Sequence, residues 1–163
     1  MNKEEIVDLL RRSCALEEGV TLENGSTLEF APVMDRLMED PITTNRLIVE
    51  LFQGFDPLLQ IQKRTKVVLS ADEDKLFGFM GAAVGWCRSL YANVRGDTAS
   101  FEHGFVLNKD DGVMLAVPVV EDAQKVNALA NLVKASGAKL VGVICLACAV
   151  DPADLPAPVS VLL

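Results

Sequence analysis

The sequence predicts an α/β protein: a mostly parallel sheet with helices on both faces, preceded by a small N-terminal hood of helices and a hairpin. Three observations carry this. Strand and helix patterns alternate from residue 66 to residue 149, as they do when crossover helices join parallel strands. Asn24-Gly25 lies between two short alternating runs, a strong hairpin signal. Asp40-Pro41 opens an apolar-periodic stretch with proline at the first helical position, where its missing N–H costs nothing.

In chain order, residues 4–14 place Ile6, Leu9 and Leu10 at helical spacing, with Glu17-Glu18-Gly19 read as the closing turn. The hairpin over residues 20–30 follows, then the helix from Pro41 to Gly54. Residues 66–70 read as a short buried strand, and Ala71-Asp-Glu-Asp-Lys75 as a polar turn. The next helix, 76–89, is rich in Gly and Ala and so can lie close on a sheet; Trp86 is expected to be buried against that sheet. Strands follow at 90–94, 100–107 and 113–120, then a helix at 123–136 with Val126, Leu129, Ala130 and Val133 on one face. Gly137 ends it. Residues 140–149 read as a central strand and 159–163 as an edge strand. The expected layout is one domain: hood 1–62, α/β core 63–150, C-terminal edge strand 151–163.

Half of the 163 residues are hydrophobic, enough to bury a sizeable core. The net charge of −8, with Lys63-Arg64-x-Lys66 as the sole basic cluster, argues against nucleic acid as a partner. The longest apolar runs are too short to span a bilayer and the N-terminus lacks a signal-peptide core, so no membrane contact and a cytoplasmic location are expected. Cys145 and Cys148 have CxxC spacing, but on a continuous strand residues three apart point to opposite faces. No metal site is therefore assigned.

The run Val113-Met-Leu-Ala-Val-Pro-Val-Val-Glu-Asp-Ala-Gln-Lys125 is a strand, an acidic turn and a helix start. That is where α/β proteins bind small ligands, at strand carboxyl ends and helix N-termini. The turn has no glycine, and close approach of a phosphate to backbone N–H groups needs side chains to stand aside.

The order of these pieces resembles the type I phosphoribosyltransferases, and among them the orotate phosphoribosyltransferases. Leu9-Leu-x3-Cys-Ala-Leu-x2-Gly-Val-Thr-Leu-x2-Gly25 is similar to that family's opening helix and hairpin, and Asp40-Pro41 fits its next helix. Tyr91-Ala-Asn-Val-Arg95, Gly104-Phe-x-Leu107 and Val133-Lys-Ala-Ser-Gly-Ala-Lys-Leu-Val-Gly142 fit its later segments. The resemblance implies a site for phosphoribosyl pyrophosphate: an acidic pair on the ribose hydroxyls, a Thr/Gly-rich turn on the 5′-phosphate, and a mobile basic loop. It also implies a homodimer. The apolar stretch Phe52, Phe55, Leu58, Leu59 and Ile61 serves either such a dimer or the domain's own core.

Three segments depart from the family pattern in the same direction. Ungapped counting from Val133-Lys134 puts Val117-Pro118 at the acidic pair and Glu121-Asp122 in the phosphate turn, where two carboxylates oppose a phosphate. The pyrophosphate loop reads Ser70-Ala-Asp-Glu-Asp-Lys75. The catalytic loop between Arg95 and Phe105 is short, leaving Arg95 and His103 as its catalytic candidates. Candidate ligand-binding residues are Ser70, Asp72, Lys75, Glu121, Asp122, Gln124 and Lys125, facing a small molecule at the strand ends. The expected function is a protein with this fold that has lost transferase chemistry and serves in binding, regulation or assembly. The alternative is an active transferase in which Glu121 and Asp122 hold ribose or Mg²⁺ and Lys125 or Arg95 holds phosphate; Mg²⁺ is implied only in that case.

Overall fold

The computed structural model describes residues 1–55 and 64–163. Helix α1 (Lys3–Arg12) starts on a capping box between Asn2 and Glu5, with Glu4 and Glu5 in its first turn and Arg11 and Arg12 in its last, the polarity its dipole favours. The hairpin follows as β1 (Leu16–Thr21) and β2 (Thr27–Pro32), antiparallel with Thr21 opposite Thr27. Glu17, Glu18 and Gly19 belong to β1 and do not form the expected turn. Gly19 carries φ +64° and lets the chain remain in the strand.

A short helix α2 (Met34–Glu39) precedes α3 (Pro41–Gln53). The Asp40 carboxylate accepts the Thr43 N–H at 3.1 Å, capping α3 ahead of Pro41. Phe52 and Phe55 are buried in the chain's own core. Leu58, Leu59 and Ile61 of the same apolar stretch lie outside the described residues, as does Lys63.

Strands β3 (Thr65–Ala71), β4 (Arg88–Arg95), β5 (Thr98–Phe101), β6 (Gly112–Ala116), β8 (Lys139–Cys145) and β10 (Val159–Val161) form one sheet in the order β10-β8-β6-β3-β4-β5. Every pairing is parallel except β4 with β5. A separate two-stranded patch joins β7 (Val119–Val120) to β9 (Ala147–Cys148), in parallel. Helix α4 (Lys75–Gly85) connects β3 to β4, and α5 (Gln124–Ala135) connects β7 to β8.

The period of two along the central strands divides the core. Val68, Met114 and Ile144 pack with α1, α3 and α4, while Val67, Leu69, Val113, Leu115 and Val143 pack with Val126, Leu129 and Val133 of α5. The two crossover helices therefore cover opposite faces. Leu28 and Ala31 of the hairpin form a third cluster with Ala147, against which Val119 packs.

Further expectations are corrected, among them the strand at 113–120, which is split into β6 and β7. Trp86 is 96% exposed: α4 ends at Gly85, and Trp86 takes the left-handed cap conformation (φ 55°) that turns the chain into β4. The strand foreseen at 100–107 is the four-residue β5, which ends at Phe101. The 140–149 strand is interrupted at Leu146, where the Leu146 and Ala147 N–H groups both donate to the Pro118 carbonyl; Ala147–Cys148 continues in the same register against β7. Among the described residues, no helix is long and apolar enough to cross a membrane.

Candidate functional site

The strand order reverses at β3, which is flanked by β4 on one side and β6 on the other. The segments leaving β3 and β6 then part to opposite faces, and in open α/β sheets this separation creates the ligand crevice. A crevice of about 530 Å³ opens here. Its walls are Glu73 and Asp74 after β3, Val94 and Gly96 at the end of β4, Met34 of α2, and the run from Val117 to Asp122 with Gln124 and Lys125.

Local structure decides which acidic residues face inward. Asp72–Asp74 forms one 3-10 turn. It keeps Asp72 outside, paired with Lys75 at 3.2 Å, and brings Asp74 to the wall with only 13% of its side chain exposed. Across the crevice, the Lys125 ammonium donates to the Asp74 carboxylate at 3.0 Å and contacts the Glu73 carboxylate. Burial holds the Asp74 carboxyl above its ordinary range, outweighing the pull of Lys125. Burial likewise opposes charge on Lys125, but hydrogen bonds and charge from Glu73 and Asp74 outweigh it, and the ammonium is held above the usual lysine value.

At the N-terminus of α5, the Asp122 carboxylate accepts the Gln124 N–H at 2.8 Å. The Asn24 side chain donates to the Glu121 carbonyl at 3.1 Å and fastens the hairpin tip to this turn. The Val117 N–H donates to the Ile144 carbonyl, and the Pro118 carbonyl accepts from Leu146. The wall is thus held by backbone bonds to the neighbouring strand.

Of the nine residues singled out from the sequence, Glu121, Asp122, Gln124 and Lys125 line the crevice. Ser70 is fully buried near the end of β3, against Gly78 of α4, with no hydrogen-bond partner for its hydroxyl among the described residues. Lys75 stands over the Tyr91 ring at 5.4 Å. Arg95 ends β4 outside the lining, between Val94 and Gly96. His103 packs in a ring cluster with Tyr91 and Phe105 at 6.1 and 6.2 Å, and its Nε2 lies 3.9 Å from Glu102. Val94 and Gly96 join the site from a strand carboxyl end, residues 94–98, where the sequence places a ligand, and Asn24 from the hairpin tip; no motif marks Met34. Among the described residues, no group of three or more His, Cys, Asp or Glu side chains is placed to hold a metal.

Three solved structures share this architecture. Orotate phosphoribosyltransferase from Aeropyrum pernix superposes with a TM-score of 0.65 at 15% identity, over 88% of this chain and 81% of that one. Adenine phosphoribosyltransferase from Saccharomyces cerevisiae, in complex with an imino-altritol bisphosphate and adenine, gives 0.66 at 14%, over 96% and 99%. UMP synthase from Leishmania donovani gives 0.66 at 13%, over 96% of this chain and 35% of that one. The fold is that of the type I phosphoribosyltransferases. No protein-family model matches the sequence, and no curated protein matches it.

Within the phosphoribosyltransferase fold, the turn between the end of β6 and α5 is here Val117-Pro-Val-Val-Glu-Asp-Ala123. Lys125 is the one cation among the described lining residues, which also include four acidic ones, Glu73, Asp74, Glu121 and Asp122; it pairs with Glu73 and Asp74. Chemically, the side chains that line the crevice offer more anionic acceptors than cationic donors.

Proposed function

We propose that this protein keeps the phosphoribosyltransferase scaffold without the transferase chemistry, and acts through binding, regulation or assembly. One observation carries the reading. Lys125, positioned to meet a phosphate, is bound instead by Glu73 and Asp74, while Asp122 occupies the N–H of Gln124 at the helix start. A sugar diphosphate entering here would have to displace internal carboxylates and then remain beside them, and like charges sharing a small site repel strongly. Fold alone does not supply activity. Isothermal titration of the whole chain with phosphoribosyl pyrophosphate and Mg²⁺ is expected to give no saturable heat, and ultraviolet assays no consumption of orotate or adenine. Saturable micromolar binding, or turnover of either base, would overturn the reading.

For assembly, the face that suits a second copy is the outer side of α4. Leu76, Phe79 and Trp86 stand out from it, with exposures of 59%, 62% and 96%. An antiparallel pairing about a two-fold axis sets the apolar residues of the two copies against one another, a self-complementary arrangement. Sedimentation equilibrium should show a dimer that Phe79→Asp converts to monomer, and the Trp86 emission should shift to the red on dilution. A wild-type chain that stays monomeric at high concentration would remove this mode.

A further inference from the structure

Strands β3, β4, β6 and β8 run parallel, so they all begin at one end of the sheet, opposite the crevice. Residues 64–66, 88, 108–111 and 134–139 open these strands or lead into them, and they hold six bases against two carboxylates. The chain as a whole carries −8, so these segments are opposite in sign to the remainder. Along the sequence only Lys63-Arg64-x-Lys66 reads as a basic cluster; the sheet gathers the other bases from segments far apart.

Short contacts tie these segments together. The Arg88 guanidinium reaches past the start of β3 to the Asp111 carboxylate at 2.9 Å. The same carboxylate accepts the Asn108 N–H at 2.8 Å, and the Asp111 carbonyl accepts the Lys139 N–H at 2.9 Å. The stem of Lys109 lies over Gly137, where an added Cβ would stand 3.8 Å from the Lys109 Cγ. Asp111 is thus engaged by Arg88 and by its own turn, and Asp110 is the one other carboxylate in these segments.

The remaining bases are not used internally. Arg64, Lys66, Lys109, Lys134 and Lys139 are exposed, and none of the five is in an ion pair among the described residues. Elsewhere Lys3, Arg11, Arg36, Lys75 and Lys125 each pair with a carboxylate. The carboxyl ends of helices favour cations, which accounts for Lys134 in the last turn of α5. It does not account for Lys109 and Lys139, which stand on a turn and at a strand start.

We propose that this end of the sheet is a docking face for a short acidic segment of a partner protein. The size of the row sets the class of partner. From β8 to β4 the sheet spans three strand spacings, about 14 Å. Roughly four extended residues cover that distance, so a short run of Asp or Glu matches the row and stops with it. A nucleic acid or an anionic membrane extends past the row over a surface that is net negative, where like charges repel. The face lies away from the crevice and does not depend on how the crevice is read.

The test titrates the whole chain into a fluorescein-labelled oligoglutamate peptide and reads anisotropy at low salt. Saturable binding that weakens as salt rises is expected, because exposed charges are screened. Lys109→Glu combined with Lys139→Glu should weaken it roughly tenfold or more. Arg12→Glu combined with Arg46→Glu makes the same change in net charge outside these segments and should leave binding nearly unchanged. All four side chains are exposed, so the variants keep the fold. An oligothymidylate of equal charge should bind more weakly than the peptide. No saturable binding of the peptide, an equal loss in both double variants, or tighter binding of the oligothymidylate would overturn the proposal.

Discussion

Replacing Lys125 with methionine is expected to cost about 1–3 kcal/mol of stability at pH 7.5, and much less near pH 5. Removing one partner of a fully buried pair costs about 3–5 kcal/mol, and an exposed pair is worth about 0–1 kcal/mol. The side chains of Lys125 and Asp74 are 29% and 13% exposed, so the bridge lies between those limits. The pH dependence follows from Asp74. Burial raises its carboxyl in the folded state above the ordinary value, so the native state binds more protons than the unfolded chain between the two pKa values. Stability therefore falls as pH rises through that window. Without the ammonium the folded pKa climbs further, the window widens upward, and acidification recovers part of the loss by protonating Asp74. Urea melts of both proteins at the two pH values measure the difference. An equal deficit at both would mean that Lys125 does not hold the Asp74 charge.

The second large effect lies at glycine, and its sign reverses between two positions. A Cβ added to Gly112 meets the Arg64 backbone carbonyl, which cannot rotate aside as a side chain can. Gly112 opens β6 between β3 and β8, so movement there disturbs the centre of the sheet. Gly112→Val is expected to lose about 3 kcal/mol or more, a fall in Tm of roughly 6–12 °C for a chain of this size. At Gly81, inside α4, an added Cβ meets Ile144 Cδ1 at 3.4 Å and Val68 Cγ1 at 3.6 Å, ordinary contacts. Gly81→Ala should stabilise by about 0.5–1 kcal/mol, since it lowers the entropy of the unfolded chain. Thermal and urea melts of both variants check the pair; a neutral Gly112→Val would show that the β3–β6 seam yields.

Much of the fold is legible in the residues because local and global signals agree. Asn24-Gly25 marks the hairpin, Asp40-Pro41 starts α3, and the short apolar runs of β3, β6 and β8 mark buried strands. What escapes the sequence is set by tertiary partners. Trp86 carries no sign that it caps a helix in a left-handed conformation, which few residues other than glycine adopt. Nothing in the apolar run through Cys145 and Cys148 reveals its interruption at Leu146, because that is set by the Pro118 carbonyl on the neighbouring segment, which accepts from both Leu146 and Ala147. In the crevice, the acidic residues are visible, but the choice of Asp74 over Asp72 as the inward one depends on a single 3-10 turn. Met34 contributes to the wall only through the chain's path in space.

The hairpin has a consequence for synthesis. Its strands can zip together soon after they leave the ribosome, but Leu28 and Ala31 are covered by Ala147, and Asn24 bonds to Glu121, ninety-seven residues on. At roughly 5–20 residues per second, the nascent chain carries that uncovered apolar face for about 6–24 s before its partner is made. The mouth of the crevice is therefore among the last parts of the molecule to be completed.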